Sequence, residues 1–221
     1  MKRSPSHALP PAFALDLESV LTPEIWHAVA QQTGLNELMI TTREVSNYDL
    51  LMKRRMTVCR AKGLTLPRLR RIVGGMRPLP GAIEFLRWAR RQAVVTMVAD
   101  TFHELAGPLL TKLEVPLVFC NSLRVDDAGD LRGFRRWHRH GKRAAVELLR
   151  RKGFRVAAVG DSFNYLSMLD AADFAVLFRA TPAIQGRVRF RRVENHRTLK
   201  TVLNGWLKQK HPGNLNRHEK P

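Results

Sequence analysis

Hydrophobic positions along the chain fall into two regimes. Between Ile25 and about Leu79 they recur three or four residues apart, and nothing there reads as a strand. Pro23 opens a first helix over residues 24–33, which Gly34 closes. A second helix is expected over residues 48–62, stopped at Gly63, and a shorter basic one over residues 67–73, ending at Gly74-Gly75. Pro78-Leu-Pro-Gly81 then breaks the chain. Beyond it, short apolar runs alternate with amphipathic stretches. Strands are expected at 94–99, 116–120, 156–160 and 174–178, and helices at 81–91, 101–113, 142–153, 166–172 and 198–208. Residues 123–133 read as a hairpin turning at Asp127–Gly129. One further strand, residues 13–17, precedes the all-helical stretch.

Alternating strands and helices imply an α/β fold: a Rossmann-like, mostly parallel sheet with helices on both faces. The helical stretch after the first strand becomes a small all-helical cap. The expected division is a core of residues 13–25 and 80–208, a cap of 26–79, and flexible basic termini of 1–12 and 209–221. The first dozen residues carry three prolines. A length of 221 residues suits one good core with a small second domain. No apolar run is long enough to cross a bilayer, and Asp16 and Glu18 interrupt the first one, so a cytoplasmic protein without membrane partners is expected. Cys59 and Cys120 read as free buried thiols.

The candidate chemistry lies where strands end. Phe13-Ala-Leu-Asp-Leu-Glu18 closes an apolar run with two carboxylates two residues apart, which a strand would place on one side. The run at 94–99 stops at Asp100 and the run at 156–160 stops at Asp161. Ligands of open α/β sheets bind outside the carboxyl ends of the strands. Three acidic strand ends suggest a site for a hard cation with oxygen ligands, Mg²⁺ foremost. Taken alone, Asp16 would equally serve as a cap for the helix opened by Pro23.

Charge adds a second theme: 38 Lys and Arg against 19 Asp and Glu give a formal +19. Such a surface attracts nucleic acid, acidic membranes and phosphorylated small molecules alike. The positive residues are spread along the chain, and no RNA-binding aromatic motif, zinc finger or basic heptad region accompanies them. A solvated basic surface is preferred over a dedicated nucleic-acid site. Trp137-His-Arg-His140 lacks further ligands for zinc.

Four segments occur in an order that carries a resemblance: Asp16-Leu-Glu-Ser-Val-Leu21, Val98-Ala-Asp-Thr-Phe102, Lys142 opening a helix, and Gly160-Asp-Ser-Phe-Asn164. Together they resemble the four motifs of the haloacid dehalogenase superfamily, within it the phosphoserine phosphatase group. Pro23-Glu-Ile-Trp26 and Tyr48-Asp-Leu-Leu-Met-Lys-Arg-Arg55 resemble its bifunctional phosphoserine phosphatase/homoserine phosphotransferase branch. The resemblance implies a Mg²⁺-dependent phosphomonoesterase acting on a small phosphorylated amino acid, with transfer to homoserine where an alcohol replaces water. Asp16 would be the nucleophile that forms an aspartyl-phosphate, and Glu18 the general acid/base. Lys142 would pair with the phosphoryl group and with Asp16, although Arg143 beside it competes for the role. Asp16, the backbone carbonyl of Glu18 and Asp161 would hold the metal. Glu24 and Arg55 would read the amine and carboxylate of the substrate, and Asp100, Thr101 and Asn164 would complete the binding set, with Asn164 orienting the metal loop. Taken alone, Arg55 and Lys142 also suit surface charges, and Asn164 a turn.

Two positions depart from the family pattern. Ala99 stands where a Ser or Thr hydroxyl would bind the phosphoryl group, and Thr101 is the nearest substitute. Tyr165 stands where a second Asp would support the metal. These departures and the +19 charge keep a rival open, a degenerate member that binds nucleic acid or another polyanion. Monomer and homodimer are equally open.

Overall fold

A computed structural model describes residues 9–42, 44–114, 117–180 and 190–209. The strands are β1 (Pro11–Leu15), β2 (Val94–Phe102), β3 (Val118–Val125), β4 (Leu131–Arg135), β5 (Arg155–Gly160), β6 (Phe174–Phe178) and β7 (Arg191–Val193). They form one sheet in the order β4-β3-β2-β1-β5-β6-β7, parallel except for the β3–β4 hairpin. The helices are α1 (Ile25–Thr33), α2 (Tyr48–Ala61), α3 (Leu66–Gly75), α4 (Ala82–Gln92), α5 (His103–Lys112), α6 (Gly141–Arg151), α7 (Leu166–Ala171) and α8 (His196–Leu207). The fold class is the α/β architecture expected from the sequence.

Strand alternation decides which residues meet which layer. Along β1, Ala12 and Ala14 pack with α6 and α7, while Phe13 and Leu15 pack with α4, α5 and α8. Small side chains on one face and large ones on the other set the depth of the two layers. The larger cluster continues from the sheet into Trp26, Val29, Leu51, Met56, Leu69 and Val73 of α1–α3. The helical stretch therefore shares a hydrophobic core with the sheet rather than forming its own.

Polar ties reinforce that contact. The Leu66 N–H donates to the Gly129 carbonyl at 2.8 Å, joining α3 to the tip of the β3–β4 hairpin. Arg136 pairs with Asp49 at 2.9 Å and lies 4.7 Å over the Tyr48 ring. Where the chain leaves and re-enters the core, His196 bridges the two crossings: its ring nitrogens lie 2.8 Å from the Val20 carbonyl and 2.9 Å from that of Pro80.

Several boundaries differ from expectation. β1 occupies Pro11–Leu15 rather than 13–17, because it pairs with β5 from Pro11↔Arg155 to Leu15↔Val159. Proline suits the first residue of a strand, where no ladder hydrogen bond is lost. Residues 11 and 12 thus belong to the sheet and not to a flexible terminus; residues 1–8 and 210–221 lie outside the described residues. β2 does not stop at Asp100 but continues to Phe102, and α5 starts two residues later than expected, at His103. β7 went unread because Arg-Arg-Val has no apolar run.

Candidate active site

β1, β2 and β5 lie side by side at the centre of the sheet, and their carboxyl ends bring Asp16, Asp100 and Asp161 together. The three line one cavity of about 550 Å³, roofed by α1, α2 and the residues that link them. Glu18, Glu24, Arg55, Thr101, Lys142 and Asn164 line it too. All nine candidate residues named from the sequence therefore face one space.

Asp16 follows directly on β1, and its N–H donates to the Val159 carbonyl at 3.0 Å. Its side chain is 1% exposed. Burial, and next the charge of Asp161, push its carboxyl well above the usual carboxylate range, while Lys142 and the Tyr165 hydroxyl pull it back. The Tyr165 O–H donates to Asp16 Oδ1. Lys142 Nζ lies 3.3 Å from the centroid of the Tyr165 ring. Lys142 makes its ion pair with Asp100, at 2.6 Å, and not with Asp16 as the resemblance implied. The competing Arg143 pairs with Glu147 on the exposed side of α6. Helical geometry turns the two neighbours about 100° apart, so only one can face the cavity.

Glu18 reaches the cavity by a turn and not by strand alternation, since β1 has ended. The Leu21 and Thr22 N–H groups both donate to the Leu17 carbonyl, and Ser19 adopts φ 63. A non-glycine residue in this region is strained, and such strain concentrates at functional sites. Glu18 Oε1 accepts from the Ile25 N–H at 3.2 Å, capping α1. Burial, then the charge of Glu24, push the Glu18 carboxyl up to about 8, against the pull of Arg55. Ser19 Oγ donates to Glu24 Oε1 at 2.9 Å. Arg55, though charged, is buried: Nη2 donates to the Ile40 carbonyl at 2.6 Å, and the guanidinium lies 4.8 Å over the Trp26 ring. Its Nε is buried with no partner among the described residues.

The end of β2 is irregular. Val98 pairs with Phe119 and Phe102 with Asn121, so β2 spends two extra residues over the same stretch of β3. Such a bulge re-aims side chains. Here it lets two consecutive residues, Asp100 and Thr101, both line the cavity, which a regular strand forbids. Ala99 is buried in the hydrophobic cluster and does not line it. Thr101 Oγ1 is buried without a partner among the described residues. Asn164 Nδ2 donates to Thr42 Oγ1 across the cavity.

Sequence reasoning passed over two residues. Tyr48, quoted above only as part of a motif, donates from its hydroxyl to the Asp100 carbonyl at 2.6 Å and accepts from Asn121 Nδ2 at 2.9 Å. It ties α2 to the bulge. Tyr165 was read only as a lost carboxylate, although it is the hydrogen-bond partner of Asp16.

The donor set suits a divalent cation. A buried carboxylate, Asp16, raised by burial and then by the charge of its buried neighbour Asp161, needs a compensating charge, and hard cations take oxygen ligands. Among the described residues no cluster of three or more His, Cys, Asp and Glu side chains surrounds a metal position. The Glu18 side chain is engaged at the start of α1, where it accepts from the Ile25 N–H.

A parallel sheet whose central strand ends in a buried Asp, with a second Asp and a buried Lys beside it under a helical roof, places the protein among α/β enzymes that carry their site at the carboxyl ends of the strands. Residues 10–173 match the haloacid dehalogenase-like hydrolase family, and the chain belongs to it. It is 39% identical over 166 residues to phosphoserine phosphatase ThrH of Pseudomonas aeruginosa, covering 75% of this chain and 81% of that protein. It is 38% identical over 166 residues to a phosphoserine phosphatase of Pseudomonas syringae pv. tomato, covering 75% and 70%. A phospho-aspartyl intermediate analogue of a phosphoserine phosphatase shares the fold at TM-score 0.72 and 21% identity, over 89% of this chain and 99% of that one. An apo phosphoserine phosphatase does so at TM-score 0.70 and 23% identity, over 88% and 98%. The chain is thus an enzyme of the haloacid dehalogenase-like hydrolase family.

Proposed function

We propose that this enzyme hydrolyses the phosphomonoester of a small phosphorylated amino acid, phosphoserine foremost, through an aspartyl-phosphate on Asp16. One observation carries the reading: one cavity is lined by Asp16, Asp161 and Lys142 on its sheet side and by the buried Arg55 and the half-buried Glu24 on its helical side. That arrangement matches a ligand with a phosphoryl group at one end and a carboxylate and amine at the other. Arginine suits the carboxylate because its fork donates two parallel hydrogen bonds, and Arg55 Nε has a proton to give. The names of the two Pseudomonas relatives support the same substrate.

In the first half-reaction a carboxylate oxygen of Asp16 attacks phosphorus, the bond to the serine oxygen breaks, and Glu18 gives its proton to the departing oxygen. In the second, water loses a proton to Glu18 as its oxygen attacks phosphorus, which releases inorganic phosphate and frees Asp16. Homoserine in place of that water would accept the phosphoryl group instead. Lys142 offsets phosphoryl charge, and Thr101 Oγ1 donates to a phosphoryl oxygen in place of the missing hydroxyl at Ala99. Asp16, Asp161 and the Glu18 carbonyl would hold Mg²⁺, which when bound neutralises phosphoryl charge. Residues 26–79 serve as the cap over a core of 11–25 and 80–208, which β1 makes two residues longer at its start than expected. A cytosolic setting suits Cys59 and Cys120, free thiols that burial pushes up to about 12.

The test is phosphate release from phosphoserine with Mg²⁺ or with chelator. Turnover should require Mg²⁺, and Asp16→Asn should leave less than about 1% of it, since an amide cannot form the acyl phosphate. Retained turnover in Asp16→Asn, or none from the unaltered enzyme with Mg²⁺, overturns the reading.

A further inference from the structure

We infer that Tyr165 is a positioning residue for Asp16, selecting which carboxylate oxygen attacks; this rests on the aspartyl-phosphate reading above. Three observations converge on its side chain. Its hydroxyl donates to Asp16 Oδ1. Its ring carries the Lys142 ammonium on its face, 3.3 Å from the centroid, while Asp100 holds the same ammonium at 2.6 Å from the other side. The ring is seated against the last residue of β5, where a Cβ on Gly160 would fall 2.6 Å from Tyr165 Cβ. Real side chains never approach so closely, so the missing side chain at Gly160 makes the space in which the tyrosine stands. Only 6% of Tyr165 is exposed, which leaves the ring little freedom to swing away.

The consequence for Asp16 is an asymmetry between chemically identical oxygens. Oδ1 accepts from the phenol, so the bond to phosphorus is assigned to Oδ2, the oxygen that does not carry that hydrogen bond. A hydrogen bond to a charged acceptor fixes direction as well as contributing energy, and a nucleophile fixed in a near-attack geometry gains rate without gaining substrate affinity. A carboxylate at this place would set a third like charge against the buried Asp16–Asp161 pair. A phenol sets a neutral donor there instead, and its ring face also attracts the lysine. One side chain thus orients the nucleophile and keeps the neighbouring cation in the cavity.

Tyr165→Phe tests this, because it removes the hydroxyl and keeps the packing. Two readouts apply, both in Mg²⁺: steady-state kinetics with phosphoserine, and binding of beryllium trifluoride, which adds to a carboxylate oxygen as a phosphoryl group does, followed by fluorine NMR. The expected result is a kcat lower by about 10- to 100-fold with KM within about twofold, and adduct formation weakened by at least about tenfold. Asp16→Asn, which should form no adduct, sets the baseline. If the unaltered enzyme forms an adduct through Asp16 and Tyr165→Phe matches it in both readouts, this inference is wrong and the aspartyl-phosphate reading stands. If the unaltered enzyme forms no adduct that depends on Asp16, both fall. A Tyr165→Phe variant that loses thermal stability but keeps kcat would mark the hydroxyl as structural and overturn the inference as well.

Discussion

Asp16 and Glu18 are two residues apart, carry the same functional group, and are both raised by burial, yet their surroundings assign them different work. Asp16 sits beside Lys142 and the Tyr165 hydroxyl, which favour its ionised form, while burial and the charge of Asp161 oppose it; the proposed nucleophile is thus held by a cation and a donor. Glu18 sits at the first turn of α1 beside Glu24, and that pairing favours its protonated form near neutral pH. Divergent environments for neighbouring carboxyls are how one site obtains both a nucleophile and an acid. If Glu18 protonates the departing oxygen, its removal should matter in proportion to how poor the leaving group is. Glu18→Gln is expected to lower kcat for phosphoserine by about 10²- to 10⁴-fold. With 4-nitrophenyl phosphate, whose phenolate leaves without a proton, the loss should be far smaller. Equal losses for the two substrates in steady-state assays would remove Glu18 from the acid role.

The decisive element is β2. Its register slips against β3 between Val98 and Phe102, and the cavity-facing residues of the second motif all lie in that slip. Tyr48, reaching down from α2, and Asn121, on β3, fasten the irregular backbone through the Asp100 carbonyl. The helical roof is thereby anchored to the strand that carries the site. This geometry alters what the departure at Ala99 means. Ala99 packs in the core while Thr101 lines the cavity, its hydroxyl buried without a partner among the described residues, so restoring a hydroxyl at 99 should do little. Thr101→Val, nearly the same shape, should lower kcat/KM for phosphoserine by about 10- to 100-fold, the effect of one hydrogen bond of about 1.5–3 kcal/mol to a charged group. Ala99→Ser should stay within about threefold of the unaltered enzyme. A gain at Ala99→Ser with no loss at Thr101→Val would return the role to position 99.

At the scale of the whole molecule, the chain carries a formal charge of +19 and its proposed ligand is an anion. Such a field raises the encounter rate of an anionic ligand and weakens as salt screens it. The expected signature is a kcat/KM for phosphoserine that falls several-fold between low and about 0.5 M ionic strength, with kcat nearly constant. Stopped-flow or initial-rate measurements across a salt series would show it. A flat kcat/KM would leave the charge as solvated surface alone. No helix among the described residues is long and apolar enough to cross a membrane.

The sequence by itself determined the architecture and pointed to nine residues that line one cavity. Periodicity separated the helical stretch from the alternating one, because a period near 3.6 and a period of 2 record which face of each element is buried. Acidic residues at the ends of apolar runs marked the functional edge, because a charge that ends a buried strand must meet water, a partner or a metal. What the tertiary structure alone decided was orientation. Glu18 enters the cavity through a turn at Ser19 and Lys142 pairs with Asp100, while a bulge lets Asp100 and Thr101 both line the cavity. Tyr165, read in the sequence as a loss, holds Asp16. Each of these depends on contacts between residues from 21 to 149 positions apart or on a local break in regular backbone. Neither leaves a trace in hydrophobic patterning, which reports burial but not the direction in which a buried polar group points.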